Sequence, residues 1–209
     1  MVNFPWKLNP SEDDMNRIHV AALAAGLAFA TAPAAADTVL AQSTFDTGLD
    51  GWTSNEPSEI EWSATGGHPG GGVLFHDDIN DGTWLEAPSK FLSGAIDFRK
   101  LDGKAYIAFQ HEIVKDSGTG VIDYEIDMIG PGGTAVFLGG PPPQRLNKWF
   151  TVAAPLLEGN WTMASGSWKA LMTDVTAIWI RVELVHAAPD VAAMDNITLV
   201  KVPTGFVPR

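Results

Sequence analysis

Between residues 121 and 129 the chain reads V-I-D-Y-E-I-D-M-I, with apolar and acidic side chains taking turns. Ile122, Tyr124, Ile126 and Met128 fall on one side of an extended chain, and Asp123, Glu125 and Asp127 on the other. That two-residue period belongs to a strand with one buried face and one wet face. Similar segments recur between turn residues, at 38–45, 58–63, 73–76, 83–87, 104–114, 134–138, 149–154, 176–186 and 192–201, and each is a predicted strand. The acidic run HDDINDG at 76–82 reads as the tip of a hairpin joining 73–76 to 83–87, since Asp-Gly is ordinary turn chemistry. The glycine-rich TGGHPGGG at 65–72 and the ASGSW at 164–168 read as a loop and a turn, and WKALMT at 168–173 as a single helical turn. About ten short strands with almost no helix predict an all-β, antiparallel β-sandwich. Neither an internal repeat nor a second composition regime divides it, so one domain is expected.

The N-terminus follows a different pattern. Residues 20–33, VAALAAGLAFATAP, form an apolar run of signal-peptide length, too short for a membrane span of about 20 residues. Ala34 and Ala36 satisfy the small-x-small cleavage rule and place the mature start near Asp37. Met15 opens the short basic stretch MNRIH, whereas the fourteen residues before it end in three acids, so Met15 is a candidate true start. The expected organisation is a leader over 1–36, a domain over 37–202 and a short tail over 203–209, in a secreted or periplasmic protein.

Composition narrows the partners. The formal charge is −12, and removal of residues 1–36 leaves 11 bases against 22 acids. No Lys/Arg cluster offsets that excess, so nucleic acid is excluded as a partner on electrostatic grounds, while cations and neutral glycans are easier ones. Cysteine is absent, which removes disulfides, zinc thiolates and thiol catalysis together.

Several stretches, taken in order, resemble the laminin B domain (laminin domain IV) in its bacterial exported form. They are FDTGLDGW at 45–52, TGGHPGGGVLFHDD at 65–78, GTWLEAPSKFLSG at 82–94, LMTDVTAIWIRVEL at 171–184 and MDNITLV at 194–200. The series spans nearly the whole domain. It departs from the family at Leu92-Ser93-Gly94, where Leu-Gly is usual, and it lacks the Cys-rich repeats that flank the domain in animal laminins. The resemblance implies a jelly-roll sandwich like that of carbohydrate-binding modules, with first and last strands paired. Pro88 would end the strand at 83–87 because it cannot donate to a ladder, and Trp84 and Phe91 would be core aromatics.

Candidate chemistry follows from these placements. Asp46 and Asp50 sit in a glycine-containing turn and Asp195 opens the last strand. If the end strands pair, the three carboxylates converge on a structural calcium, which takes 6–8 oxygen ligands; otherwise they cap turns. The loop HDDINDG fails EF-hand spacing, because Ile79 stands where a carboxylate is needed. Among the mature histidines (His68, His76, His111 and His186) no HxH or HExxH spacing occurs, and no GxSxG elbow is present, so no catalytic residue is assigned. A carboxylate pair such as Glu112 with Asp123 or Glu125 leaves a glycosidase open. Two strand faces carry the mixture of aromatic and polar groups that sugar recognition needs. One holds Tyr106, Gln110 and Glu112; the other holds Trp179, Arg181 and Glu183. If both line one sheet, they form a groove with Asp123 and Glu125. The expected function is a non-catalytic binding or adhesion module for extracellular glycan or a protein surface. A structural protein of the cell envelope or matrix is one alternative, and an enzyme acting on carbohydrate is another.

Overall fold

In the computed structural model the alternating segments become strands of two antiparallel sheets; it describes residues 36–76, 82–115, 120–185 and 189–203. Residues 1–35 of the expected leader, with Ala34 among them, residues 77–81 of the acidic loop and His186 lie outside the described residues. The strands are β1 (Thr38–Ser43), β2 (Thr53–Ser54), β3 (Ile60–Gly67), β4 (Gly70–His76), β5 (Trp84–Glu86), β6 (Ala105–Lys115), β7 (Glu125–Gly130), β8 (Gly133–Leu138), β9 (Phe150–Pro155), β10 (Thr162–Gly166), β11 (Ala177–Arg181) and β12 (Val191–Lys201). One helical turn, α1, spans Trp168–Leu171. The first sheet runs β3-β4-β12-β6-β9 with β1 also on β12, and the second runs β10-β8-β7-β11-β5-β2.

Strand β12 organises the first sheet. Its residues 191–194 pair with β4, its residues 197–201 with β1, and β6 runs along its other edge. The expected pairing of first and last strands is therefore present. Where β4 hands over to β1, the register against β6 slips between Asp195 and Thr198, and Asn196 takes φ +51°. Asn is among the few residues that adopt this left-handed conformation readily, which accounts for Asn at the bulge.

The core lies between the sheets. Every second residue of β6 (Ile107, Phe109, His111, Ile113) turns inward against Ile126 and Met128 of β7 and Ile178 and Ile180 of β11, all at most 2% exposed. Burying each apolar side chain among these stabilises the fold by roughly 1.5–3 kcal/mol. Helix α1 closes one end with Trp168 and Leu171, and Ser167 Oγ accepts the Ala170 amide at 3.4 Å to cap it.

Four expectations are corrected. The glycine-rich 65–72 is not a loop but the meeting point of β3 and β4, turning at His68-Pro69. Its glycines are needed for close packing of backbone: a Cβ on Gly71 would lie 2.2 Å from the Phe45 carbonyl oxygen, and one on Gly67 would lie 1.8 Å from that of Gly71. Segments 73–76 and 83–87 do not form a hairpin, since β4 belongs to the first sheet and β5 to the second. Residues 162–166, overlapping the expected turn at 164–168, form edge strand β10 on β8. Phe91 is in the core, but Trp84 is not: Leu85 takes the inward position of β5 and leaves Trp84 and Glu86 outward.

The inward row of β6 includes one polar residue. His111 has no exposure, lies edge-on to Tyr124 at 4.6 Å and stacked on Phe150 at 5.8 Å, and neither ring nitrogen has a hydrogen-bond partner. Burial lowers its pKa from the usual 6.5 to about 4. A base whose folded pKa is depressed takes up its proton more readily when unfolded, so stability falls as pH drops from 6.5 toward 4. Between pH 7 and pH 5 this amounts to about 2 kcal/mol for a shift of that size. Urea denaturation at the two pH values is expected to show this loss in the wild type, and a His111→Phe variant is expected to lack most of it.

Candidate functional site

The outward residues of the second sheet form two transverse rows. Register pairs Arg181 with Trp84 and Trp179 with Asp127 and Glu86, and Thr53 with Glu86 extends the second row to β2. Trp84 and Trp179 thus sit on adjacent strands in diagonal positions, about 7–8 Å apart along the backbone. Both are half-buried, with their neighbours Leu85, Ile178 and Ile180 taking the core side. The alternation that makes these strands one-sided is what presents both indoles to the outside.

Arg181 is the centre of the polar pattern. Its guanidinium lies 5.5 Å from the Trp84 ring centre, Nη1 is 3.3 Å from Glu125 Oε2, and Nη2 is 3.3 Å from Glu183 Oε2. Gly82, whose φ of +85° favours glycine, lies beside this group: a Cβ there would stand in ordinary contact, 3.6 Å from Arg181 Nη2 and 3.7 Å from Trp84 Nε1. Beyond these bonds, Arg181 Nε, Trp179 Nε1 and Asp127 Oδ1 have no hydrogen-bond partner although each atom is shielded from solvent. Two donors and one acceptor are left unused within one small patch, a costly state unless something else engages them. Asp127 is pushed up to about 6, by burial first and by the Glu125 charge second, with Arg181 pulling the other way.

The expected ligand face is not one surface. Glu125, Trp179 and Arg181 meet on the second sheet, and Glu183 joins them from a buried position just past β11. Asp123 is exposed and precedes β7. Tyr106, Gln110 and Glu112 belong to β6, in the first sheet, so they line the opposite outer face. A two-residue period tells which side of its own strand a residue takes, not which sheet the strand joins. Sequence reasoning also missed Trp84 and Asp127. Their signal was present, because both alternate with fully buried neighbours.

On the first sheet the β12 bulge ties several of the expected residues together. Asp195 is fully buried; its Oδ2 accepts the His68 amide at 2.6 Å and its Oδ1 the Asn196 amide at 2.6 Å. Asn196 Nδ2 donates to the His68 carbonyl and to Gln110 Oε1, both at 2.9 Å. His68 in turn stacks on Trp149, 5.6 Å between ring centres. Burial raises the pKa of Asp195, the two amides lower it, and the Asp46 charge raises it again. A Cβ on Gly70 would lie 3.3 Å from Asp46 Oδ1. Asp50 is engaged elsewhere: its Oδ2 takes the Lys90 ammonium at 2.5 Å. Two of the three expected calcium carboxylates thus flank the β3–β4 turn, and among the described residues no group of three His, Asp or Glu is placed to hold a metal. Tyr106 donates its hydroxyl to Asp37 Oδ2 at 3.4 Å, at the far end of β6.

The sequence matches no family model, and no curated protein matches it. Solved structures resemble the fold. The CBM22-1 xylan-binding domain from Paenibacillus barcinonensis Xyn10C is 11% identical, with 81% of this chain and 98% of that one covered and a TM-score of 0.53. An exo-β-agarase is 16% identical over 79% of this chain and 25% of its own, with a TM-score of 0.52. The L4b domain of human laminin alpha-2 is 12% identical, covering 79% and 99%, at a TM-score of 0.44. The fold is a jelly-roll β-sandwich of the kind found in carbohydrate-binding modules. Among the described residues no helix is long and apolar enough to cross a membrane.

A carboxyl with a raised folded pKa binds its proton more tightly when folded, so Asp127 contributes less to stability as pH rises through 6. Asp127→Asn is therefore expected to stabilise the protein by about 1 kcal/mol at pH 7, after discounting for partial exposure, and to lose that advantage at pH 4. Melting curves of the two proteins at both pH values check the sign.

Proposed function

We propose that this protein is an exported, non-catalytic module that binds a neutral glycan on the outer face of its second sheet. The observation that carries the reading is the row pattern around Arg181. Two indoles lie on adjacent strands, and Trp179 Nε1, Arg181 Nε and Asp127 Oδ1 beside them have no hydrogen-bond partner. A sugar ring has an apolar face for an indole and hydroxyls that both donate and accept, so it matches such a patch. The charge on the face argues for an uncharged chain. Glu86, Glu125, Asp127 and Glu183 outnumber the single cation Arg181 there, and an acidic ligand would meet net repulsion. The resemblance in fold to a xylan-binding domain is consistent with this reading. Export rests on the leader-like residues 1–36.

Affinity electrophoresis against neutral polysaccharides (xylan, β-glucan, galactan) tests it. At least one is expected to retard the wild type. Trp179→Ala and Trp84→Ala are each expected to weaken that binding about tenfold or more, in line with the 1–3 kcal/mol typical of a good aromatic contact. Trp149→Ala, on the other sheet, is expected to leave it unchanged. No retardation by any of them, or equal loss in all three variants, defeats the assignment of this face.

A cation shared by Asp46 and Asp195 belongs to the same reading. A Cβ on Gly70 would lie 3.3 Å from Asp46 Oδ1 and one on its partner Gly67 2.8 Å from Asp195 Oδ2, so both carboxylates face one turn, where a divalent ion with carbonyl and water ligands would relieve their repulsion. Added calcium after EDTA is expected to raise the melting midpoint, because an ion bound only by the native state stabilises it. Asp195→Asn is expected to abolish the increment, and an unchanged wild-type midpoint removes the cation from the proposal.

A further inference from the structure

Among the described residues three cavities surround the segment 93–101, the first of them beside α1. One, of about 450 Å³, is lined by Arg99, Asp102, Glu158, Trp168, Lys169 and Met172 with Thr173. A second, of about 330 Å³, shares Arg99 and Thr173 with it and is otherwise lined by residues 93–97. A third, of about 210 Å³, shares Ala95, Ile96 and Asp97 with the second and continues to Leu40, Lys100 and Lys201. Shared walls make the three a continuous groove around the segment 93–101.

The charge of this groove runs against that of the protein. Four of the ten described bases line it (Arg99, Lys100, Lys169 and Lys201), but only three of the eighteen described acids. One of those acids is already paired, with two of the four bases. Asp97 accepts from Arg99 Nε at 2.8 Å and from Lys100 at 3.0 Å, which holds its carboxyl far below the usual range. Asp102 accepts the Trp168 indole N–H at 3.1 Å. Lys169 and Lys201, near the two ends of the groove, have no ion-pair partner among the described residues. At physiological ionic strength charges beyond about 8 Å are largely screened, so a ligand in the groove responds to these cations more than to the net −12.

We propose that this groove binds a stretch of carboxylated polysaccharide, a second site independent of the Trp84/Trp179 face. The apolar side chains of exposed Leu40 and buried Ile96 and Met172 line it beside the cations, as suits pyranose rings that carry one apolar face and a charged rim. The two lysines stand where carboxylates some distance apart on an extended chain can each find a partner.

Polygalacturonate and its fully methyl-esterified form share a backbone and differ only in charge, so they are the probes. Polygalacturonate is expected to retard the full-length protein in affinity gels. Raising salt from 50 to 300 mM is expected to weaken that binding at least tenfold, and the ester is expected not to bind at the groove. A Lys169→Glu/Lys201→Glu variant, altered only at exposed positions, is expected to keep the wild-type melting midpoint. It is also expected to lose polygalacturonate binding at least tenfold while retaining any neutral-glycan binding, so the two sites fail or succeed separately. The proposal is overturned if the variant binds polygalacturonate as the wild type does, or if the variant loses binding of the ester to the same extent. Polyglutamate competing on equal terms would also overturn it, since the groove would then be reading charge on a peptide.

Discussion

A strand in the middle of a sheet needs a partner along its whole length on both edges, and the eleven residues of β12 find one only by using two strands end to end on the same edge. The handover from β4 to β1 leaves a break in the ladder, and polar groups at a break inside a sheet must be satisfied or they cost stability. Asp195 and Asn196 do this. Their side chains hold the amide and the carbonyl of His68 from the adjacent hairpin turn, and Asn196 also reaches Gln110 on β6. Much else depends on this junction. The glycines of β3 and β4 have to bring backbone against backbone so that the turn can reach Asp195, and the Phe45 carbonyl packs into the same space while accepting the Trp62 indole. Stacked on Trp149, His68 is held by this network as well.

With the first sheet fixed, the second is positioned by the apolar residues between them, and each outer face is whatever the alternation leaves over. On the second sheet the remainder is aromatic and charged, and it is not fully satisfied internally. The first sheet differs, because its polar groups near the bulge are consumed by the junction itself. Gln110 bonds Asn196 and Asp195 bonds two amides, so they serve structure and leave less for a ligand. Similar residue types on the two faces therefore do different work. The difference lies in which hydrogen bonds are already made, and composition does not reveal it.

This also explains what could be read from the sequence. The sandwich, most strand positions and the pairing of the end strands were legible, because burial on one face writes a two-residue period and the ends carry recognisable motifs. Trp179, Arg181 and Glu125 were legible as outward residues for the same reason. The partner sheet of each strand was not, and so Tyr106, Gln110 and Glu112 were grouped with residues on the far side of the core. Sheet membership is decided by long-range packing, which leaves no local periodicity. The 65–72 segment misled differently. Glycine marks loops, but it also marks places where a Cβ has no room, and only the position of Phe45, twenty or more residues earlier, shows which reason applies. Asp50 looked equivalent to Asp46 until Lys90, forty residues away, was found beside it.

The distribution of charge ties these observations together. A sandwich with many more acids than bases must keep its carboxylates apart or neutralised, and this one does both. Single cations are placed against pairs of acids at Arg181, acids are tied to neutral donors at Asp195, and several bases are gathered at the α1 end. Concentrating bases there leaves the outer face of the second sheet more acidic than the average surface, and makes the end groove less so. A polyanion that lies against much of the surface meets the excess of acids, but within a groove the nearest few charges dominate. Net charge therefore predicts how the protein behaves toward an extended polyanion such as nucleic acid. It does not predict what a local cleft accepts, and the two regions can select chains of opposite character on one small domain.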